Sequence, residues 1–210
     1  THTAQWIITM RKRKIFFVTT ELPGIVGGSP VRNYNLIKSL NHEHYLISLF
    51  SIVDRKSKLR VSSLRSELDV KILTVPGKSL SLKAQLWKAI SKRIVPYMEE
   101  YASSNLKTIL MNEIENDCPD IIQLEQLNAY YAIRDIIPHI KAKKIKIILD
   151  AHNFEQIIFL ETLKMFHFFK RLIGFWILPE LIRLEKEAVF AADCVLTCSE
   201  IDRTYFLKTA

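Results

Sequence analysis

Glycine is scarce in this chain. There are five in 210 residues, and three of them, Gly24, Gly27 and Gly28, crowd into one short stretch. No Gly-x-Gly-x-x-Gly spacing occurs there, which argues against a dinucleotide fingerprint, and no Gly-Lys-Ser/Thr directly follows these glycines, which excludes a P-loop there. A Gly-x-Ser-x-Gly hydrolase elbow is absent too. Cysteine is equally sparse: Cys118, Cys194 and Cys198 have no histidine at ligand spacing, so packed thiols in a reducing cytosol are expected rather than a disulfide or a metal site. No carboxylate or histidine cluster has metal-ligand spacing, so no metal is expected. No run has the length and purity of a transmembrane helix; the nearest, over 157–182, is interrupted by Glu161, Lys164, His167, Lys170, Arg171 and Glu180. Internal repeats and low-complexity linkers are also missing. Acidic residues are outnumbered, 22 against 30 Lys and Arg, giving +8 and a pI near 9.4. Such an excess favours an anionic partner, whether membrane surface, nucleic acid or phosphorylated substrate.

What is present is the alternation of an α/β domain. Apolar residues make up 49% and charged residues 25%, enough for a real core. Met10, followed by Arg11-Lys12-Arg13-Lys14, reads as a better start than Thr1, so residues 1–9 are set aside as upstream sequence. Residues 10–210 are expected to form a single Rossmann-like domain. The chain stops at Ala210 inside an apparent helix, as a fragment would.

Strands are expected from residue 14, over 45–53, 69–75, 120–124, 144–149 and 194–198, most of them continuous apolar runs of the kind that parallel strands buried on both faces require. Helices are expected between them: from Ser29, over 79–103, 106–116, 129–141 and 153–190, and after Ser199. The helix over 79–103 places Leu82, Leu86, Ile90 and Ile94 on one side. The one over 153–190 is expected to break near Gly174 and Pro179. The result is a doubly wound parallel sheet with helices on both faces and a ligand at the carboxyl ends of its strands.

The first strand, the Gly-rich loop and the helix after it are the most informative segment. Ser29 as cap and Pro30 at the first helical position are standard start chemistry. Two adjacent glycines at a helix start leave bare amides for a phosphate or another anion. A tight turn needing positive φ is the alternative reading of Gly27 and Gly28. Asp54, after the second strand, is placed where a dinucleotide-binding domain would have its ribose acid.

Four blocks then carry a resemblance. Pro23 to Leu40, with Gly27-Gly28-Ser29, Arg32, Tyr34 and Asn35-Leu36, resembles the first βα unit of the family 4 glycosyltransferases, which have the GT-B fold. Pro119-Asp120 through Glu125, Asp150-Ala151-His152-Asn153-Phe154-Glu155, and Ala192-Asp193 through Ser199-Glu200-Ile201-Asp202 follow in that family's order. The resemblance implies the N-terminal, acceptor-side half of a retaining enzyme that moves a sugar from a nucleotide-sugar donor to a glycan or lipid-linked acceptor, in a polysaccharide, lipopolysaccharide or glycolipid pathway. The donor half of that family carries a Glu-x7-Glu pair and basic residues that assist leaving-group departure. No Glu-x7-Glu occurs here, so the chain alone is expected to be inactive.

By resemblance, His152 contacts the transferred sugar or the acceptor near the reacting centre, and Glu125 binds acceptor hydroxyls or acts as a base. Gly27, Gly28, Ser29, Arg32, Asn35, Asn153 and Glu155 are the candidate substrate contacts. Each has a plainer reading. Arg32 is a solvated surface arginine, Tyr34 and Asn35 are structural contacts, and Glu125 is an ion-pair member. Asn153 is a cap, and Glu155, Glu200 and Asp202 are acids at helix starts. No cofactor beyond the nucleotide sugar is implied, and nucleic acid is not among the expected partners. The aromatic and basic stretch 159–176, with Lys164, Lys170 and Arg171, and the helix carrying Lys83 to Arg93 each fit either an anionic bilayer or a solvated basic face over the core. The expected location is cytoplasmic, with peripheral contact on the inner face of the membrane. A nicotinamide-dependent oxidoreductase domain and a non-catalytic GT-B-like binding domain remain the alternatives.

Overall fold

A computed structural model describes residues 11–40, 43–53, 57–78 and 80–209, with only the backbone of Leu82 and Thr209. The proposed upstream segment, Met10 and Asp54 lie outside those residues. Six parallel strands, β1 (Arg13–Thr19), β2 (Tyr45–Val53), β3 (Lys71–Pro76), β4 (Ile121–Glu125), β5 (Lys146–Ala151) and β6 (Cys194–Thr197), form one sheet in the order β3-β2-β1-β4-β5-β6. The architecture is Rossmann-like and doubly wound, as the alternation predicts. The order in which strands are added reverses between the neighbours β1 and β4, which opens a crevice beyond their carboxyl ends.

Period-two alternation sorts the core into two layers. Ile15 and Phe17 of β1 point to one face and pack with Ile37 of α1 (Gly28–Ser39) and Leu64 and Leu68 of α2 (Val61–Leu68). Phe16 and Val18 point to the other face. There they meet α5 (Ser104–Asn116), α6 (Gln126–Ile133), α7 (Ile137–Ala142) and α9 (Phe168–Ala191), through residues such as Leu110, Ile133, Ile140 and Leu184. Phe16, Phe17 and Phe50 are fully buried, each contributing about 2–3 kcal/mol of transfer free energy.

Four expectations need correction. α1 starts at Gly28, with Gly27 at φ 94° as its cap and no side-chain cap, so Ser29 and Pro30 lie inside the first turn. Glycine reaches that φ without penalty, so the backbone turns two residues before the serine could cap it. The helix over 79–103 is two helices, α3 (Leu82–Lys92) and α4 (Met98–Tyr101), parted by Arg93 at φ 53° and by Pro96. The stretch 153–190 breaks instead at residues 165–167, between α8 (Glu155–Lys164) and α9. Gly174 is there for packing, since a Cβ would overlap Leu163, and Pro179 is absorbed within α9. The three cysteines are exposed rather than packed; Cys194 lies on β6, an edge strand of the sheet.

Candidate active site at the carboxyl edge

The ladder carries two acids side by side. Glu125, the last residue of β4, pairs in register with Asp150 of β5, and both are fully buried at the edge of the crevice. β4 runs into α6 without a loop because Gln126 takes φ 70°. A left-handed conformation at a non-glycine residue costs about 1 kcal/mol, and it aims the Gln126 side chain across to β5. Its Nε2 lies 2.9 Å from Nδ1 of His152. With the amide nitrogen turned to the ring, Nδ1 accepts and the imidazole proton sits on Nε2, on the Glu125 side.

His152 Nε2 and Glu125 Oε2 are 3.4 Å apart but not aligned as a hydrogen bond, and both atoms are buried with no hydrogen-bond partner among the described residues. The other carboxylate oxygen of Glu125 accepts from Gln123 Nε2 at 2.8 Å. Burial pushes the Glu125 carboxyl above its ordinary range and the charge of Asp150 adds to this, against the opposing pull of His152 and Gln123. A buried carboxylate and an imidazole that face each other with unspent capacity can exchange a proton with a hydroxyl that approaches both from one side.

Asp150 is closed where Glu125 is open. Arg32 Nη2 donates to both its oxygens at 2.7 and 3.0 Å, and Nε approaches at 3.3 Å. Asp150 in turn holds the Arg32 guanidinium more firmly protonated. The arginine counted among the candidate substrate contacts is therefore spent first on a buried acid. Its Nη1 carries no hydrogen bond among the described residues and remains for a ligand. α1 is thereby tied to the end of β5, which sets the Gly27–Gly28 loop beside the crevice.

The other candidates divide. Gly27 and Gly28 are exposed, and no acidic residue occupies the first turn of α1, so its amides stay open to an anion. Ser29 is half-buried in that turn. Asn35 is exposed on α1 and away from the sheet; the inward asparagine is Asn33, 1% exposed, with its Oδ1 unpartnered. Asn153 is exposed and does not cap α8, whose cap position is Phe154 with no side-chain bond. Glu155 opens α8 and lines an apolar cavity of about 390 Å³ with Tyr97 and Phe159. Burial pushes its carboxyl up, and burial with the nearby Glu155 pushes the Tyr97 hydroxyl up. Glu200 and Asp202 are helix-start acids in α10 (Glu200–Thr209), where Ser199 Oγ accepts from the Asp202 amide at 3.1 Å.

Sequence reasoning assigned no role to Asp150, Gln126, Gln123, Asn33 or Thr19. Thr19 ends β1 with a buried, unpartnered hydroxyl. A concavity of about 530 Å³ over the ends of β1 to β3, lined by Thr20, Glu21, Arg60, Lys78 and Tyr101, was not foreseen either. Only strand register could have set Asp150 beside Glu125, since both read as loop residues after apolar runs. Glu125, Asp150 and His152 offer ligand-capable atoms within 4.8 Å of one another. Both Asp150 oxygens are already taken by Arg32, which supplies the positive charge that an ion would bring.

No protein-family profile and no characterised protein sequence matches this chain. Among solved structures, it is similar to the N-terminal domain of trehalose-6-phosphate phosphatase from Candida albicans, at 15% identity and TM-score 0.47, covering 93% of this chain and 42% of that one. It is also similar to L-sorbose reductase from Gluconobacter frateurii, solved with NADPH and L-sorbose, at 13% identity and TM-score 0.42, covering 85% and 64%. A short-chain dehydrogenase/reductase from Serratia marcescens follows at 10% identity and TM-score 0.36, covering 89% and 96%. The chain thus spans less than two thirds of the length of the first two. At these identities and scores, none of the three bears on its activity.

Proposed function

We propose that this chain is the acceptor-side domain of a retaining glycosyltransferase that moves a sugar from a nucleotide-sugar donor to a glycan or lipid-linked acceptor. One observation carries the reading: the open pair of Glu125 and His152 at the carboxyl edge, each buried and each with an unused atom facing the other. An acceptor hydroxyl admitted by a small turn of the His152 ring donates to Glu125 Oε2 and accepts from His152 Nε2, which satisfies both. Arg32 and Asp150 hold the neighbouring backbone. The amides of Gly28 and Ser29 face the diphosphate of a donor held by a second domain, whose basic residues assist its departure.

The test is turnover of nucleotide sugars by the full-length protein, read as acceptor-dependent release of nucleoside diphosphate. His152→Ala and Glu125→Gln should each abolish most of it while the melting temperature stays within a few degrees. Full activity in both variants would overturn the assignment, and acceptor binding without turnover in the wild type would leave a non-catalytic binding domain. An open helix start at the switch point also suits a nicotinamide dinucleotide. Enhanced NADPH fluorescence with this chain, unchanged by His152→Ala, would favour the oxidoreductase reading instead.

A further inference from the structure

The helices beyond the carboxyl edge form a lobe that the site chemistry leaves unused. The Glu155 amide donates to Glu185 Oε1 at 2.8 Å, which sets residue 185 of α9 level with the end of β5. α9 finishes at the amino end of β6, so its residues 168–184 extend about 25 Å past the edge at 1.5 Å per residue. α8 runs alongside, and α3 joins them: Trp176 Nε1 donates to the Ile90 carbonyl at 3.3 Å, and the Arg93 guanidinium lies 3.7 Å from the Trp176 ring centre.

α9 is apolar on two opposite sides. Ile173, Ile177, Leu181 and Leu184 face the core, whereas Phe168, Leu172, Phe175 and Trp176, at spacing i, i+4, i+7, i+8, face outward and are 47–68% exposed. Phe169 and Met165 at the tip are 78% and 85% exposed, and Trp87 of α3 is 72% exposed beside Leu86 and Ile90. The stripe expected on α3 therefore does not turn inward as a whole. An outward stripe of aromatics along two helices is costly in water.

Cations frame it. Lys83, Arg93, Lys170 and Arg171 have no carboxylate partner among the described residues. Lys170 and Arg171 lie over the Phe166 and Phe175 rings, at 5.9 and 5.8 Å. Lys88 and Lys92 are bound to Glu99 and Lys164 to Glu161, so they add less. No described helix is long and apolar enough to cross a membrane. Aromatic side chains interleaved with unpaired cations match the interface of an anionic bilayer, where rings sit among the headgroups and ammonium and guanidinium groups meet lipid phosphates.

We infer that the α3–α8–α9 lobe docks this protein on an anionic membrane surface, with the tip at residues 165–169 entering the headgroup layer and Lys170, Arg171, Lys83 and Arg93 pairing with lipid phosphates. The inference stands on the lobe alone and does not depend on sugar transfer. Its test is co-sedimentation of the chain with phosphatidylcholine vesicles and with a roughly 7:3 mixture of phosphatidylcholine and phosphatidylglycerol. Binding to the mixture should exceed binding to the neutral vesicles at least about tenfold and weaken with salt, as screened phosphate contacts do. Phe168→Ser with Phe169→Ser, and separately Lys170→Glu with Arg171→Glu, should each lose at least about tenfold of it. These positions are exposed, so thermal melting should match the wild type. Equal binding to both vesicle types, or none to either, overturns the proposal. A dimer in sedimentation velocity that the phenylalanine variant dissolves, without vesicle binding, assigns the face to a second copy of the chain and overturns it as well.

Discussion

Glu99, on α4, and Glu125, at the end of β4, are buried alike, at 3% and 1% exposure, but their surroundings differ in kind. Tyr131 Oη donates to Glu99 Oε1 at 2.5 Å, Lys92 reaches the same oxygen at 2.9 Å, and Lys88 reaches Oε2 at 3.1 Å. Burial alone would raise its carboxyl, but the Tyr131 hydroxyl and the two ammonium groups outweigh it and bring it down to about 2. Among the described residues Glu125 has one donor, Gln123, an unpartnered second oxygen and a second acid beside it in the ladder, and its carboxyl is pushed up. A carboxylate closed on every side fastens helices together. One left open at a crevice is held ready for something that arrives.

The most severe way to break this contrast is to remove the open pair. His152→Ala or Glu125→Gln should reduce turnover about 100-fold or more, the usual contribution of a positioned proton-transfer group. The melting temperature should stay within a few degrees, since Glu125→Gln keeps an oxygen for Gln123 and His152→Ala releases only the half-buried Gln126 amide. A loss of activity that only tracks a loss of fold would erase the distinction.

Arg32→Ala comes next. It leaves Asp150, with no solvent exposure, without its counter-ion, and should cost about 3 kcal/mol of stability by breaking a partly buried pair. Arg32→Lys should recover only part of this, because a single ammonium cannot reproduce contacts from both Nε and Nη2. Urea unfolding of the three proteins measures both effects. Glu99→Gln should follow at about 1–2 kcal/mol, since Lys92 can turn to water while the buried Tyr131 hydroxyl loses its charged acceptor. It should leave turnover unchanged.

The sequence makes one side of this contrast easier to see than the other. β2 is legible to the residue because its apolar run, Tyr45–Val53, has no polar end. β4 and β5 extend past their expected ends because Glu125 and Asp150 still pair in the ladder, although acids after an apolar run look like loop. His152 and Glu125 are found from the blocks that contain them. The bond from Arg32 to Asp150 spans 118 positions and has no local signal. The closure of Glu99 is hidden too, since Tyr131 lies 32 positions away on α6 and the two lysines read as a solvated basic face of α3. Asn33, and not Asn35, faces inward because α1 begins at Gly28 and packs through Ile37, one turn further along on the same side.

A third buried acid sharpens the comparison by separating hydrogen bonds from charge. Glu185 accepts from the Glu155 amide at 2.8 Å and from Gln156 Nε2 at 3.0 Å, yet no cation among the described residues reaches it. Burial outweighs those two donors and raises its carboxyl to about 7. Its effect on stability therefore runs opposite to that of Glu99. A raised acid keeps its proton longer in the folded state, so the stability linked to Glu185 is full below about pH 4.5, its ordinary range, and is lost as pH rises toward 7. A depressed acid does the reverse, so the stability linked to Glu99 is present above about pH 4.5 and is lost as pH falls toward 2. Glu185→Gln should flatten the decline between about pH 4.5 and 7 by on the order of 1 kcal/mol, once relaxation around the carboxyl is allowed for. Its amide oxygen keeps the Glu155 bond, and the Gln156 amide can turn to face the new nitrogen. Glu99→Gln should flatten only the acid limb. Urea midpoints measured across that range for wild type and both variants decide the matter: if Glu185→Gln shifted the acid limb instead, hydrogen bonding without a counter-ion would be enough to keep a buried carboxylate charged.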